Sequence, residues 1–182
     1  MLIAKEKRKS NIAEYVIYMW QVEDLLRAFQ FDVDKLYVVV FGNQEYSDKQ
    51  SKEIKDWYEN LAEMMNIERV KASGHVQVVK NIVNEMTDLH FKLLHEDKDS
   101  RYIEMVYSCA NNLVEFRKRN NVPNEISDVE LSLTAMYGVL MLKLQRKEIS
   151  KETYTAIDGF SKILAYLSKK YKEIEDKDLE KE

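Results

Sequence analysis

Ser127-Asp128-Val129-Glu130-Leu131-Ser132-Leu133-Thr134-Ala135-Met136-Tyr137-Gly138-Val139-Leu140-Met141-Leu142-Lys143-Leu144 decides the class of the fold. Ser127 and Glu130 match a capping box, in which a hydroxyl and a carboxylate satisfy the first free N–H groups of a helix. Behind that start, Val129, Leu133, Met136, Tyr137, Leu140 and Leu144 fall on one helical face, and Leu131, Ala135, Val139 and Leu142 fall on another. A helix that is apolar on two sides needs neighbours on two sides. This one is therefore expected to be the most buried element. Gly138 in its middle lowers helix propensity by about 1 kcal/mol relative to alanine, and close approach of a neighbouring backbone is the expected reason for it. The uncharged run Leu131 to Leu142 is twelve residues long, too short to span a bilayer core.

The rest of the chain reads the same way. Only four glycines and one proline occur among 182 residues, whereas strand-rich folds need many tight turns built on both. Periodicity and stop signals place seven helical segments. The first, about Asn11 to Phe29, carries Ile12, Tyr15, Met19, Val22, Leu26 and Phe29 on its main stripe and Val16, Ile17 and Trp20 on a weaker second face. It is expected to be central or to lie at a subunit interface. Asp32 to Phe41 has strand-like composition, but no second such run exists to pair with it. A short helix capped by Asp32 is the expectation. Ser47 or Asp48 starts the third helix, with Ile54, Trp57, Tyr58, Leu61, Met64 and Met65 on its stripe. The fourth, from about Gly74, carries Val79, Ile82, Val83, Met86, Leu89, His90 and Leu93. After the charged turn Glu96 to Ser100, the fifth presents Tyr102, Val106, Cys109, Ala110, Leu113 and Phe116. Ser150 caps the last, striped by Ile157, Phe160, Leu164, Leu167, Tyr171 and Ile174. The expectation is a single all-α domain over residues 1–174, a bundle of six to seven helices, followed by a charged, frayed tail over 175–182.

The balance of 28 basic and 32 acidic residues gives a formal charge of −4. That disfavours nucleic acid, which selects basic faces. The short clusters Lys7-Arg8-Lys9 and Arg117-Lys118-Arg119 read as solvated helix ends, although Arg117 keeps phase with Val106 and Leu113 and is placed to pair with a carboxylate. One cysteine excludes an internal disulfide and fits a reducing compartment. The apolar stretch after Lys9 is interrupted by Glu14 and lacks a small-residue cleavage pattern. A cytoplasmic protein with no membrane span is expected.

Familiar catalytic patterns are missing. No Glu-x-x-His occurs, which counts against a di-iron carboxylate bundle. One cysteine and three histidines show no zinc spacing, and His75 and His90, fifteen residues apart on one helix, would stand roughly 22 Å apart. Glycine-rich phosphate loops and the nucleophile elbow are also absent. No metal or other cofactor is expected. His90 reads as a core histidine bonded to a neighbour, and Cys109 as a buried, inert thiol. Glu14, Tyr18 and Gln21 flank the main stripe of the first helix and, with His75, form the candidate pocket. Asp24 and Arg27 lie near Trp20 on the opposite side. Val16, Ile17 and Trp20 form the candidate interface.

Several stretches together carry a resemblance: Leu2-Ile-Ala-Lys5, Asn11-Ile-Ala-Glu-Tyr15 with Tyr18-Met-Trp-Gln21, Gly74-His-Val-Gln77 with Lys80-Asn81, and Tyr137-Gly138 with Lys147-Glu-Ile-Ser-Lys-Glu-Thr153. Over nearly its whole length the chain resembles a bacterial family of short, all-helical proteins classed as a domain of unknown function. The resemblance implies a helical fold and a bacterial source, and it brings no catalytic residues to carry over. The functional expectation is a non-enzymatic interaction or assembly module, a homo-oligomer or the partner of another protein. The alternative is a small-molecule-binding protein or enzyme with a pocket between helices.

Overall fold

The computed structural model describes residues 2–179, and among them only helices are found as regular structure. These are α1 (Leu2–Ser10), α2 (Ile12–Ala28), α3 (Val33–Phe41), α4 (Asp48–Ile67), α5 (Gln77–Phe91), α6 (Ser100–Arg119), α7 (Asp128–Leu144) and α8 (Lys151–Leu179). The last turn of α5 widens into a π-turn over Lys92–Glu96. No described helix is long and apolar enough to cross a membrane.

Local side-chain chemistry sets most of the boundaries. An N-cap residue has extended backbone and lends a side-chain oxygen to an N–H three positions on. Asn11 does this for Glu14 at 3.1 Å, Asp32 for Lys35 at 2.9 Å, Asp99 for Tyr102 at 3.0 Å, Ser127 for Glu130 at 3.1 Å and Ser150 for Thr153 at 3.2 Å. Ser47 and Gln50 form a complete capping box on α4. Asp32 resolves the strand-like segment as a helix. Without a second strand its N–H and C=O groups have partners only within the turn, so Leu36 is fully buried while Val38 and Val39 stand 67% and 63% exposed.

Both ends of the described chain differ from the sequence expectation. Residues 2–10 form α1, a separate helix that ends where Asn11 starts α2 and lies back along it. The charged segment from Glu175 continues α8 to Leu179, and Arg8 of α1 pairs with Glu175 at 2.7 Å. Residues 180–182 of the expected tail lie outside the described residues.

The hub is α2, which packs against every helix except α6. Val16 and Leu26 are fully buried on different faces of it, and Ser168 of α8 accepts a hydrogen bond from the Ala13 N–H at 3.2 Å. α7 packs against α2, α5, α6 and α8. Its first half buries Val129, Leu131, Ser132 and Leu133 completely and leaves only Thr134 exposed, whereas Leu144 is 56% exposed. Its two apolar faces are thus both used in that first half. Gly138 is exposed, and no atom lies within 4 Å of where a Cβ would stand. The expected close approach is elsewhere: at Gly159 of α8 a Cβ would meet Cys109 Cβ of α6 at 2.9 Å. Gly159 is therefore what lets α6 and α8 cross tightly.

His90 is buried, and its Nδ1 bonds the Tyr102 hydroxyl at 2.7 Å. Arg117 of α6 bonds the carbonyls of Pro123 and Ile126 at 2.5 and 2.8 Å and the Asp128 carboxylate at 2.9 Å, closing the α6–α7 connection. Cys109 is buried, and burial pushes its thiol up to about 11.

Two predictions follow from this packing. Gly138→Ala should raise stability by roughly 0.5–1 kcal/mol, because it gains helix propensity and meets nothing. Gly159→Ala should lower it by about 1–3 kcal/mol through overpacking against Cys109, both read from urea unfolding. The second concerns pH. Burial holds His90 below the ordinary histidine value of 6.5. The unfolded chain therefore binds this proton more readily, so the contribution is complete above that value and is lost as pH falls through the folded value. The urea midpoint should fall on acidification below it, and His90→Asn should flatten that part of the profile.

Candidate functional site

One side of α2 carries Trp20, Glu23, Asp24 and Arg27, which at about 3.6 residues per turn share a face. Opposite them runs the connection from α4 to α5. The N-terminus of α5 has no cap of its own, because its N-cap residue is Val76. Carboxylates from elsewhere replace it. Glu23, fully buried, accepts the Val76 N–H at 2.9 Å, and Glu68 accepts the Gln77 N–H at 2.5 Å. Negative charge at this end of a helix is favoured by the helix dipole.

The second oxygen of Glu23 meets His75 Nδ1 at 2.5 Å. A carboxylate can only accept, so Nδ1 is the donor in this contact. The imidazole stacks on Trp20 with centroids 4.6 Å apart and planes at 17°. Tyr137 of α7 packs edge-on against the same indole at 5.9 Å and donates its hydroxyl to Asp24 at 2.6 Å. Burial, with Asp24 adjoining, pushes the Tyr137 hydroxyl well above its ordinary range. Asp24 in turn holds Arg27 at 2.7 Å. Arg27 gathers the preceding loop by its carbonyls: Val70 at 2.9 Å, Lys71 at 3.2 Å and Gly74. Gly74 stands at φ +86°, where a side chain would be strained, and its turn presents that carbonyl to the guanidinium. The Trp20 indole N–H is buried and has no hydrogen-bond partner among the described residues.

The side chain of His75 is 32% exposed and that of Glu23 is not exposed at all. A carboxylate-held imidazole with a reachable edge has the geometry of a general base. The sole thiol, Cys109, lies elsewhere, buried between α6 and α8. Among the described residues no group of three or more His, Cys, Asp or Glu side chains could hold a metal ion. Through these hydrogen bonds and ring contacts the node is a clamp tying α2, α7 and the start of α5 together.

The residues expected to form a pocket do not come together. Glu14 is exposed at the start of α2 and pairs with Lys7 at 2.8 Å. Tyr18 is half-buried and hydrogen-bonded to Tyr58, and burial pushes its hydroxyl up to about 12. Gln21 is half-buried. His75 lies across α2 from these three, against Trp20 and Glu23. The expected interface is not an open surface of this chain: Val16 and Trp20 are buried in its own core, and Ile17 packs partly buried against it. The central member that sequence reasoning missed is Glu23. Its signal was a carboxylate in phase with Val16 and Trp20, three residues beyond an expected buried indole.

The outer face of α6 is an open apolar surface. Tyr107 is 78% and Val114 67% exposed, with half-buried Ala110 between them and half-buried Ile103 one turn before Tyr107 on the same face. Glu104, Asn111 and Lys118 run alongside at intervals of seven.

Cutting the clamp should be costly. Glu23→Ala should lower stability by about 3 kcal/mol, since breaking a buried pair strands the remaining polar groups. Glu23→Gln should cost less because it keeps the acceptor for the Val76 N–H. In a double-mutant cycle His75→Ala should couple to Glu23→Ala by at least about 1 kcal/mol, measured by urea unfolding.

No curated protein and no solved structure matches the chain. A family model described as a domain of unknown function (DUF4924) matches residues 1–178. With nearly every residue covered by that match, the chain belongs to the DUF4924 family.

Proposed function

We propose that the chain is a non-enzymatic assembly module that associates with a second copy of itself through the outer face of α6. The carrying observation is the row Ile103, Tyr107, Ala110 and Val114, which alternates spacings of four and three residues and leaves Tyr107 and Val114 open to water. That alternation is the seam of paired helices. The twenty residues of α6 span about 30 Å, enough for several layers of contact.

The flanking charges support an antiparallel pairing. Glu104 lies toward the N-terminal end of α6, Lys118 at its C-terminal end and Asn111 midway. A two-fold axis at Asn111 sets Glu104 against Lys118 of the partner subunit twice over. It also stacks the two copies of Asn111 and seats Val114 beside Tyr107 of the partner subunit. The helix dipoles then oppose, which is also favourable. A parallel pair would instead place like charges together. A single cysteine that is free and buried supports a reducing compartment as the setting.

Gel filtration with light scattering tests the reading. The expected result is a dimer at micromolar concentration and a monomer for Tyr107→Lys with Val114→Glu, the dissociation constant rising at least 100-fold while circular dichroism stays unchanged. Glu104→Lys should weaken the dimer, and adding Lys118→Glu should restore it. A wild-type chain monomeric at every concentration overturns the proposal, and failure of the charge swap to restore the dimer overturns the antiparallel arrangement.

A further inference from the structure

α1 lies along α2 and leaves a cleft of about 350 Å³ between itself, α4 and the start of α5. A volume of this size falls in the range of small-ligand sites. Its floor is apolar, made by Met19 of α2 and by Trp57, Leu61 and Met64 of α4. Met64 is 36% exposed, so the chain's own packing leaves thioether surface open to an occupant. Methionine adapts to irregular apolar shapes.

Both free charges on the lining have the same sign. Lys5 and Lys9 of α1 line the cleft, no acidic side chain does, and neither lysine has an ion-pair partner among the described residues. Arg8, between them, is held by Glu175 and Tyr171. The whole chain carries a formal charge of −4, so attraction of an anion here is a property of this rim and not of the protein at large. An apolar floor beneath an unpaired cationic rim matches a molecule with a hydrocarbon body and one anionic head.

We propose that this cleft binds a free single-chain amphiphilic carboxylate, its hydrocarbon chain laid over Met19, Leu61 and Met64 and its carboxylate between Lys5 and Lys9. The burial of the chain supplies affinity, and the lysines select the head. The site shares no residue with the outer face of α6, so it stands or falls independently of the proposed assembly.

Isothermal titration calorimetry with decanoate and with decanol below its solubility limit, on the full chain labelled with 13C at its methionine methyls, tests it. Decanoate should bind saturably at one site, at least tenfold more tightly than decanol, and shift the methyl signals of Met19 and Met64 while leaving that of buried Met86 in place. Lys5→Glu with Lys9→Glu, both at exposed positions, should abolish the tenfold preference and leave decanol binding unchanged. Tyr107→Lys with Val114→Glu should bind decanoate as the wild type does. Non-saturable uptake, equal affinity for decanoate in the lysine variant, shifts confined to other methionines, or binding to anionic vesicles without any response to free decanoate would each overturn the proposal.

Discussion

A buried carboxylate in the middle of a helix must be matched on every side or it unfolds what surrounds it. Glu23 meets that condition with two groups that lie more than fifty residues further along the chain, the Val76 N–H and His75 Nδ1. The match only works if α5 begins where it does and points its free N–H groups at α2. It also needs the loop before it to turn at Gly74, and Arg27 holds that turn by its carbonyls. Trp20 and Tyr137 then close the apolar side, bringing α7 into place. One anion thus sets the register of three helices, with hydrophobic burial supplying the bulk energy around it.

The parts of this fold that were legible in the sequence are those governed by short-range chemistry. Asn11, Asp32, Ser47, Ser127 and Ser150 each cap the residue three positions on, and that relation can be read without knowing the rest of the chain. Asp32 in particular outweighs the strand-like composition behind it. α1 escaped notice because its nine residues are dominated by lysine and arginine and bury only Ala4 fully among the described side chains. The glycines show the limit from the other side. Both Gly138 and Gly159 interrupt a helical pattern, but only a crossing partner, Cys109 from fifty residues away, tells them apart.

The candidate site was legible in pieces. His75 and Trp20 were each singled out, and Asp24 and Arg27 were placed beside the indole. The sequence grouped His75 with the wrong side of α2, because periodicity assigns faces within a helix and says nothing about which face a distant loop will meet. Glu23 lacked any mark of its own: a glutamate in a helix is ordinary, and its burial follows from the loop laid over it. The outer face of α6 was hidden for a similar reason. Its apolar residues look like a continuation of the core stripe until α7 and α8 are seen to take only the other side.

The crossing at Gly159 also makes the single thiol a clock. Cys109 Sγ is enclosed where α6 and α8 touch, and burial there raises its thiol above the ordinary range and disfavours the thiolate. Alkylation therefore has to wait until those two helices part, and its rate counts how often the bundle breathes along that seam.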